Sequence, residues 1–455
     1  MKKKLLPLAL AAATGLVAST AQAVYVNSDG LGQVLLYPFY TVEDGQDTYV
    51  NLVNTTDKTK AVKVRILEAM NSQEVLDFNL YLSPQDHWSA VITADPNGEG
   101  AIIKSGDTSC TVPAAISNGT AVPFRNFEYQ SDAKNKGVDR TREGYIEVIE
   151  MGEVENAALE TAIKHVNGVP GNCGAVVSAW QGNGTFVQGN GVVGPAGGLY
   201  GYGVLINVAE GTDATYDAVA LDAFSLISVH TNPGSLDPSL NNASPANADV
   251  IDGNTVVSAA FGRGIDAVSA VLMHDAIAND YVLEPTINAG TDWVITFPTK
   301  RDYVATAPAT APFTVSWSKT NTQACEPISI TYYDREEKDQ APDDLDFSPL
   351  PPAAAPLSLC FEANVLTFNN SNVLSGSDRV SKNLALDSGF DNGWMTINLN
   401  NVAGRQLVGG ATTFNGLPVT GFAVQKYVNG DVGGVKSNYA GAVTHKATRS
   451  IVTAP

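Results

Sequence analysis

Apolar and polar residues alternate along much of this chain, and a period of two predicts strands. Val62, Val64 and Ile66 alternate with Lys63 and Arg65, the pattern of a strand with one buried face. Leu76, Phe78, Leu80 and Leu82 then share one face, and Asp77, Asn79 and Tyr81 share the other. The turn Ser83-Pro84-Gln85-Asp86 follows, and 88–92 reads as a returning strand. Upstream, 34–42 and 48–53 also read as strands. Pro38 puts the first of these at an edge or a bend, because proline cannot donate to a ladder. Short strands at this spacing predict an immunoglobulin-like β-sandwich over 24–120.

The remainder extends the β pattern with one interruption. Region 121–249 is mixed, with strands expected at 145–151, 204–208 and 214–224. Its helix is expected over 154–166, where Ala158, Leu159, Ala162, Ile163 and Val166 share a face before Asn167, Gly168 and Pro170 stop it. A glycine-rich stretch fills 182–203, and a Pro/Asn/Ser-rich loop fills 232–247. Region 250–363 reads as a second sandwich, with strands at 270–273, 281–283 and 293–297 and alternation around Val315 and Ile330. Pro/Ala-rich pieces at 305–312 and 348–356 read as extended loops. Region 364–455 is a C-terminal β region, either a small domain or the completion of earlier sheets. The expected fold is therefore mainly β, with several immunoglobulin-like sandwiches and one short helical insertion. A faint internal likeness links 64–93, ending in Trp88-Ser89-Ala90-Val91-Ile92-Thr93, with 269–296, ending in Trp293-Val294-Ile295-Thr296.

The N-terminus changes the picture by giving an address. Lys2, Lys3 and Lys4 precede an apolar run over 5–17, and Ala21-Gln22-Ala23 offers a small-x-small cleavage site. This is the pattern of a secretory signal peptide, too short to span a bilayer, so the mature chain begins near Val24 and works outside the cytoplasm. Four cysteines, Cys110, Cys173, Cys325 and Cys360, fall in the exported part, an even number suited to two disulfides. Of three pairings, Cys110–Cys173 with Cys325–Cys360 keeps each loop inside one region. No Cys follows the cleavage site and no second long apolar run exists, so neither a lipid anchor nor a membrane-spanning segment is expected in the mature chain. The net charge is −20, and loss of the three leader lysines makes it about −23. So acidic a surface repels phosphate backbones and excludes nucleic acid as a partner, but it suits divalent counter-ions.

Candidate chemistry is sparse. Gly189-Asn190-Gly191-Val192-Val193-Gly194 fits GxGxxG, but Pro195, Gly197 and Gly198 forbid the helix that a dinucleotide site needs. Asp95, Asn97 and Glu99 alternate oxygen-bearing side chains in a turn and form the candidate calcium loop, although no Glu sits at the twelfth position. Two denser acid runs, 334–339 and 343–346, read as solvated loops. His87, His165, His230, His274 and His445 form no zinc pattern; His274-Asp275 offers half of a triad without a GxSxG elbow. No two of the 47 acids stand out as a glycosidase pair. Trp88, Trp180, Trp293, Trp317 and Trp394 are expected mainly in the core, and any that reaches a sheet surface would make a sugar-stacking platform.

Four segments carry a resemblance: Gly32-Gln33-Val34-Leu35-Leu36-Tyr37-Pro38, Glu74-Val75-Leu76-Asp77-Phe78-Asn79-Leu80-Tyr81-Leu82-Ser83-Pro84, Val166-Asn167-Gly168-Val169-Pro170 and Gly416-Leu417-Pro418-Val419-Thr420-Gly421-Phe422-Ala423. Together they resemble uncharacterised exported or cell-surface proteins of Gram-negative bacteria, along the whole mature chain. The resemblance carries no established activity or site residues and implies an envelope or extracellular role. The expected function is that of a secreted, non-enzymatic cell-surface or matrix structural protein able to self-assemble, without a cofactor other than Ca²⁺. A carbohydrate-binding adhesin or envelope-binding module is the alternative, and an exported hydrolase the third reading.

Overall fold

Alternation along the strands decides which faces meet. The structure, a computed structural model, describes residues 22–340, 347–348, 358–374, 377 and 379–454. The signal-peptide run to residue 21, the acid run 343–346 and most of the 348–356 piece lie outside the described residues. The described chain is mainly β, with several sheets and few helices.

In the first sheet, Glu143–Val154 runs antiparallel between Val34–Thr41 and Lys60–Glu68, and Glu74–Leu82 continues beyond. A second sheet is ordered Thr212–Asp217, Leu199–Asn207, Gln46–Asn54, His87–Ala94, Ala101–Lys104 and Val122–Pro123. Leu35, Val62, Val64, Ile66, Phe78 and Val148 of the first pack on Leu52, Trp88, Ile92 and Leu205 of the second, as the alternation predicts. The expected boundary at 120 falls inside this sheet pair. Without Glu143–Val154, both of its neighbours would present unpaired N–H and C=O groups along an edge.

The second sheet pair mixes the last two regions in the same way. Asn392–Asn398 lies between Ser329–Asp334 and Ala276–Val282, and Ala289–Thr296 lies between Ala363–Phe368 and Thr420–Val432. Region 364–455 therefore completes sheets begun in 250–363. Ile277, Trp293, Ile295, Ile330, Phe368, Met395 and Ile397 fill the space between the two sheets.

The two pairs share their cores. Val34, Leu36, Ile149 and Leu221 of the first belong to the second pair's apolar cluster, and Val294, Val365, Phe422 and Val424 belong to the first pair's. Tyr216 stacks on Phe422 with ring centroids 4.5 Å apart, and the Thr296 hydroxyl donates to Pro38 O at 2.7 Å.

Helices depart from expectation in two places. The helix expected over 154–166 is Ala157–Ile163, capped by the Asn156 side chain, which accepts from Leu159 N. It stops early because Lys164 turns extended and His165–Val166 pairs back on Val169–Pro170 through Asn167 and Gly168, both at positive φ. The strand expected at 270–273 is instead the end of helix Gly264–Leu272, in which only Asp266 escapes burial. A short apolar run does not by itself separate strand from buried helix. With Cys173–Ser178 also helical, one helical insertion becomes several short helices. The disulfides are Cys110–Cys173 and Cys325–Cys360, the pairing favoured by loop containment. Among the described residues no helix is long and apolar enough to cross a membrane.

Candidate functional site

Because Val62, Val64 and Ile66 point inward, Lys63, Arg65, Asp77, Asn79, Tyr145 and Glu147 project from the opposite face of the first sheet. That face is covered. Asn79 Nδ2 donates to Thr231 O at 2.9 Å, Gly234 N donates to Asp77 Oδ2 at 3.2 Å, and the Tyr81 hydroxyl meets His230 Nε2 at 3.0 Å. Buried charges must be paired, and here they are. Arg65 bonds Glu74 (2.8 Å) and Glu147, while Lys63 meets Asp77. Burial raises the Glu147 pKa, with Arg65 opposing, and burial likewise pushes Glu74 up to about 7 against Arg65. His230 sits against Tyr81, Trp180 and Phe186, and burial, with Lys63 adding to it, drives it down to about 3.

Between this face, the 236–240 loop and the 298–305 segment lies a polar cavity of about 360 Å³, lined by Arg65, Tyr145, Glu147, Asp237, Arg301 and Asp302. It is where a hydrolase reading would look for paired carboxylates. Glu147 is held there by a guanidinium that does not titrate in any ordinary range, which suits a charged wall better than a proton shuttle.

A second ionic group sits deeper. Arg140 binds Glu68 (2.7 Å) and Asp132 (2.9 Å) and lies 4.2 Å above the Tyr129 ring. Lys300 Nζ donates to Ala324 O (2.7 Å) and Phe361 O (3.2 Å), and burial lowers it to about 8. Burial raises Glu362 to about 8 and Glu143 to about 7.

The residues singled out from sequence are not gathered into one place. Asp95 Oδ1 accepts from Asn97 N at 2.9 Å, while Asn97 and Glu99 face solvent; among the described residues no three His, Cys, Asp or Glu side chains converge as a metal site. The glycine-rich loop does hold an anion, but it is the chain's own Glu150, which accepts from Ala196 N (3.2 Å) and Gly197 N (2.8 Å). His165 Nδ1 lies 2.8 Å from Ser83 Oγ and 3.6 Å from Asp86 Oδ2. Serine and aspartate thus address the same ring nitrogen, so the ring cannot relay a proton between them as a triad histidine does. Trp88 and Trp293 are buried, and Trp394 is 46% exposed.

Trp394 is the surface aromatic that alternation could have found, since Met395 and Ile397 take the core side of its strand. It pairs across the ladder with Tyr333, and their rings stack 4.4 Å apart at 11°. Asp280 stands opposite Trp394 on the next strand, and Asp339 stands opposite Tyr333. An open row of acid, indole, phenol and acid therefore crosses four strands.

The other feature is a crevice between the two sheet pairs. A chamber of about 520 Å³ bordered by Asn27, Asp29, Thr55 and Tyr200 adjoins one of about 220 Å³ bordered by His274, His445 and Arg449. Nothing in the sequence marked Arg449. No family model, no curated protein and no solved structure matches the chain. The reading of function therefore rests on this geometry. The sites can stack sugars on an aromatic row or shelter an apolar ligand in a crevice.

Proposed function

We propose that this chain is an exported, non-enzymatic cell-surface or extracellular-matrix structural protein, built from stacked sheets in the immunoglobulin manner and able to assemble with copies of itself. The observation that carries the reading is the interleaved core, in which side chains of both sheet pairs fill the same clusters. Such a body transmits load as one block, and buried ion pairs help to hold it together. The leader, two disulfides and the acidic surface support a place outside the cytoplasm. Light scattering and electron microscopy of the leader-free protein, with and without calcium, test the reading. Concentration- or calcium-dependent oligomers are expected; a strict monomer under every condition counts against assembly.

A second reading, a carbohydrate-binding adhesin or envelope-binding module, is favoured by the Trp394–Tyr333 row. The ring faces that Trp394 and Tyr333 turn away from each other can stack on the apolar faces of sugars, and the flanking carboxylates accept from hydroxyls. Glycan arrays of the wild type and of Trp394→Ala test it: signal in the first that disappears in the second is expected, and silence of the wild type removes the reading.

A further inference from the structure

The crevice between the sheet pairs has the volume and the mixture of apolar and polar walls that ligand pockets have. Its two chambers, of about 520 and 220 Å³, are neighbours that share Val26, Val219, Thr420, Gly421 and Thr444 as walls. Ligand pockets favour such junctions and combine apolar walls with a few placed polar groups. The inner walls are Val26, Val219, Val271, Leu272, Ile277 and Val419, and the polar groups are His274, His445 and Arg449.

These three polar groups differ in what they still lack. His445 is closed, with Nε2 on Val294 O at 2.8 Å and Nδ1 at 3.1 Å from Asn279 Nδ2. His274 Nδ1 is buried with no hydrogen-bond partner. Arg449 donates to Val271 O (2.8 Å) and Met273 O (2.5 Å) and, among the described residues, has no carboxylate within 4 Å. Arg125 and Arg335 share that lack of an acid partner, but both are exposed to water, whereas Arg449 is partly buried. Asp252 acts on Arg449 only through space, so the half-buried guanidinium touches no acid in a chain of net charge −20. Its remaining donors suit the oxygens of one small anion, and guanidinium matches a planar carboxylate best.

We infer that this crevice binds a free single-chain monocarboxylate, its head on Arg449 and its hydrocarbon body along Val219, Val26 and Ile277. A hydrated inorganic anion would gain nothing from the apolar walls, and a neutral or cationic chain would leave Arg449 without an acid.

The test is calorimetric titration of the leader-free protein with decanoate, decanol and decyltrimethylammonium. Decanoate is expected to bind at least about tenfold tighter than decanol, as one charge-assisted pair provides, and the cation not at all. Arg449→Gln should erase that preference while leaving decanol binding in place, and Arg449→Lys should keep part of it. Val219→Phe, which fills the crevice without touching the arginine, should weaken both ligands about tenfold or more. Because Arg449 also holds the last carbonyls of helix Gly264–Leu272, Arg449→Gln could unfold the chain. The wild-type preference and Val219→Phe then decide alone. No binding to the wild type, equal binding of decanoate and decanol, or indifference to Val219→Phe would each overturn the inference. Sedimentation with phosphatidylglycerol vesicles should leave the protein in solution; capture by vesicles would instead assign the head to a lipid surface and reject the free ligand.

Discussion

The outer faces of the two sheet pairs begin from the same alternation and meet opposite fates. On the first, Lys63, Arg65, Asp77 and Glu147 lie under the 224–245 segment and bond one another. On the second, Asp280, Trp394 and Thr396 belong to strands whose outer face stays open to water, with Trp394 46% exposed. The difference teaches that a polar stripe records what a face can tolerate, and that the covering segment decides whether the charges must pair. A covered stripe holds the fold together and an open one is free to recognise.

The largest expected effects come from breaking the covered charges. Arg140→Met strands Glu68 and Asp132, and Arg65→Met strands Glu74 and Glu147. Each should cost about 3–5 kcal/mol in urea unfolding, the usual penalty for leaving a buried charge unpaired. A cost under about 1 kcal/mol for Arg65→Met would mean that the covering segment is not closed in solution. Next come the disulfides. Cys110–Cys173 and Cys325–Cys360 close separations of 63 and 35 residues, so removing either by Cys→Ser pairs should cost roughly 4 kcal/mol on chain-entropy grounds. Denaturation of the two double variants beside the wild type checks this, and a loss confined to one of them would mark the region of the other disulfide as held by its core alone.

Acid sharpens the comparison further. His230, under the cover of the first pair, and His274 and His445, in the crevice, are held neutral chiefly by burial, at about 3, 3 and 4 against an ordinary 6.5. A group whose folded pKa is depressed binds its proton preferentially in the unfolded chain. Its contribution is therefore complete above about pH 6.5 and declines as pH falls towards 3. Glu143 and Glu362 run the other way: burial raises them to about 7 and 8, so their contribution is complete below about 4.5 and declines as pH rises through those values. Melting curves of His230→Phe between pH 6.5 and 3 should fall less steeply than those of the wild type; parallel curves would exclude His230 from the acid limb. The smallest stability effect belongs to the open face. Trp394→Ala should change unfolding by no more than about 1 kcal/mol, as surface replacements do, while removing glycan retention if the second reading holds.

Much of this fold is legible in the sequence, and the reasons it stops being legible are physical. Strands such as Lys60–Glu68 and Glu74–Leu82 follow from a period that sorts side chains by face. Their partners do not, because Glu143–Val154 is brought between distant strands by tertiary packing that leaves no local mark. The likeness between 64–93 and 269–296 holds for two elements of three: in both, the last two strands lie in different sheets, but helix Gly264–Leu272 stands where the first has a strand. The disulfide pairing was readable from loop containment. Arg449 was not readable, since only its three-dimensional surroundings reveal a guanidinium that touches no acid.

The proposed function requires this interleaved, disulfide-tied block to work outside the cytoplasm. Mass spectrometry of the protein recovered from fractionated native cells tests it most directly, reading both the first residue and the state of the four cysteines. The account predicts a surface or extracellular form starting near Val24 with Cys110–Cys173 and Cys325–Cys360 oxidised. A cytosolic form that keeps Lys2, Lys3 and Lys4 and carries free thiols would contradict it.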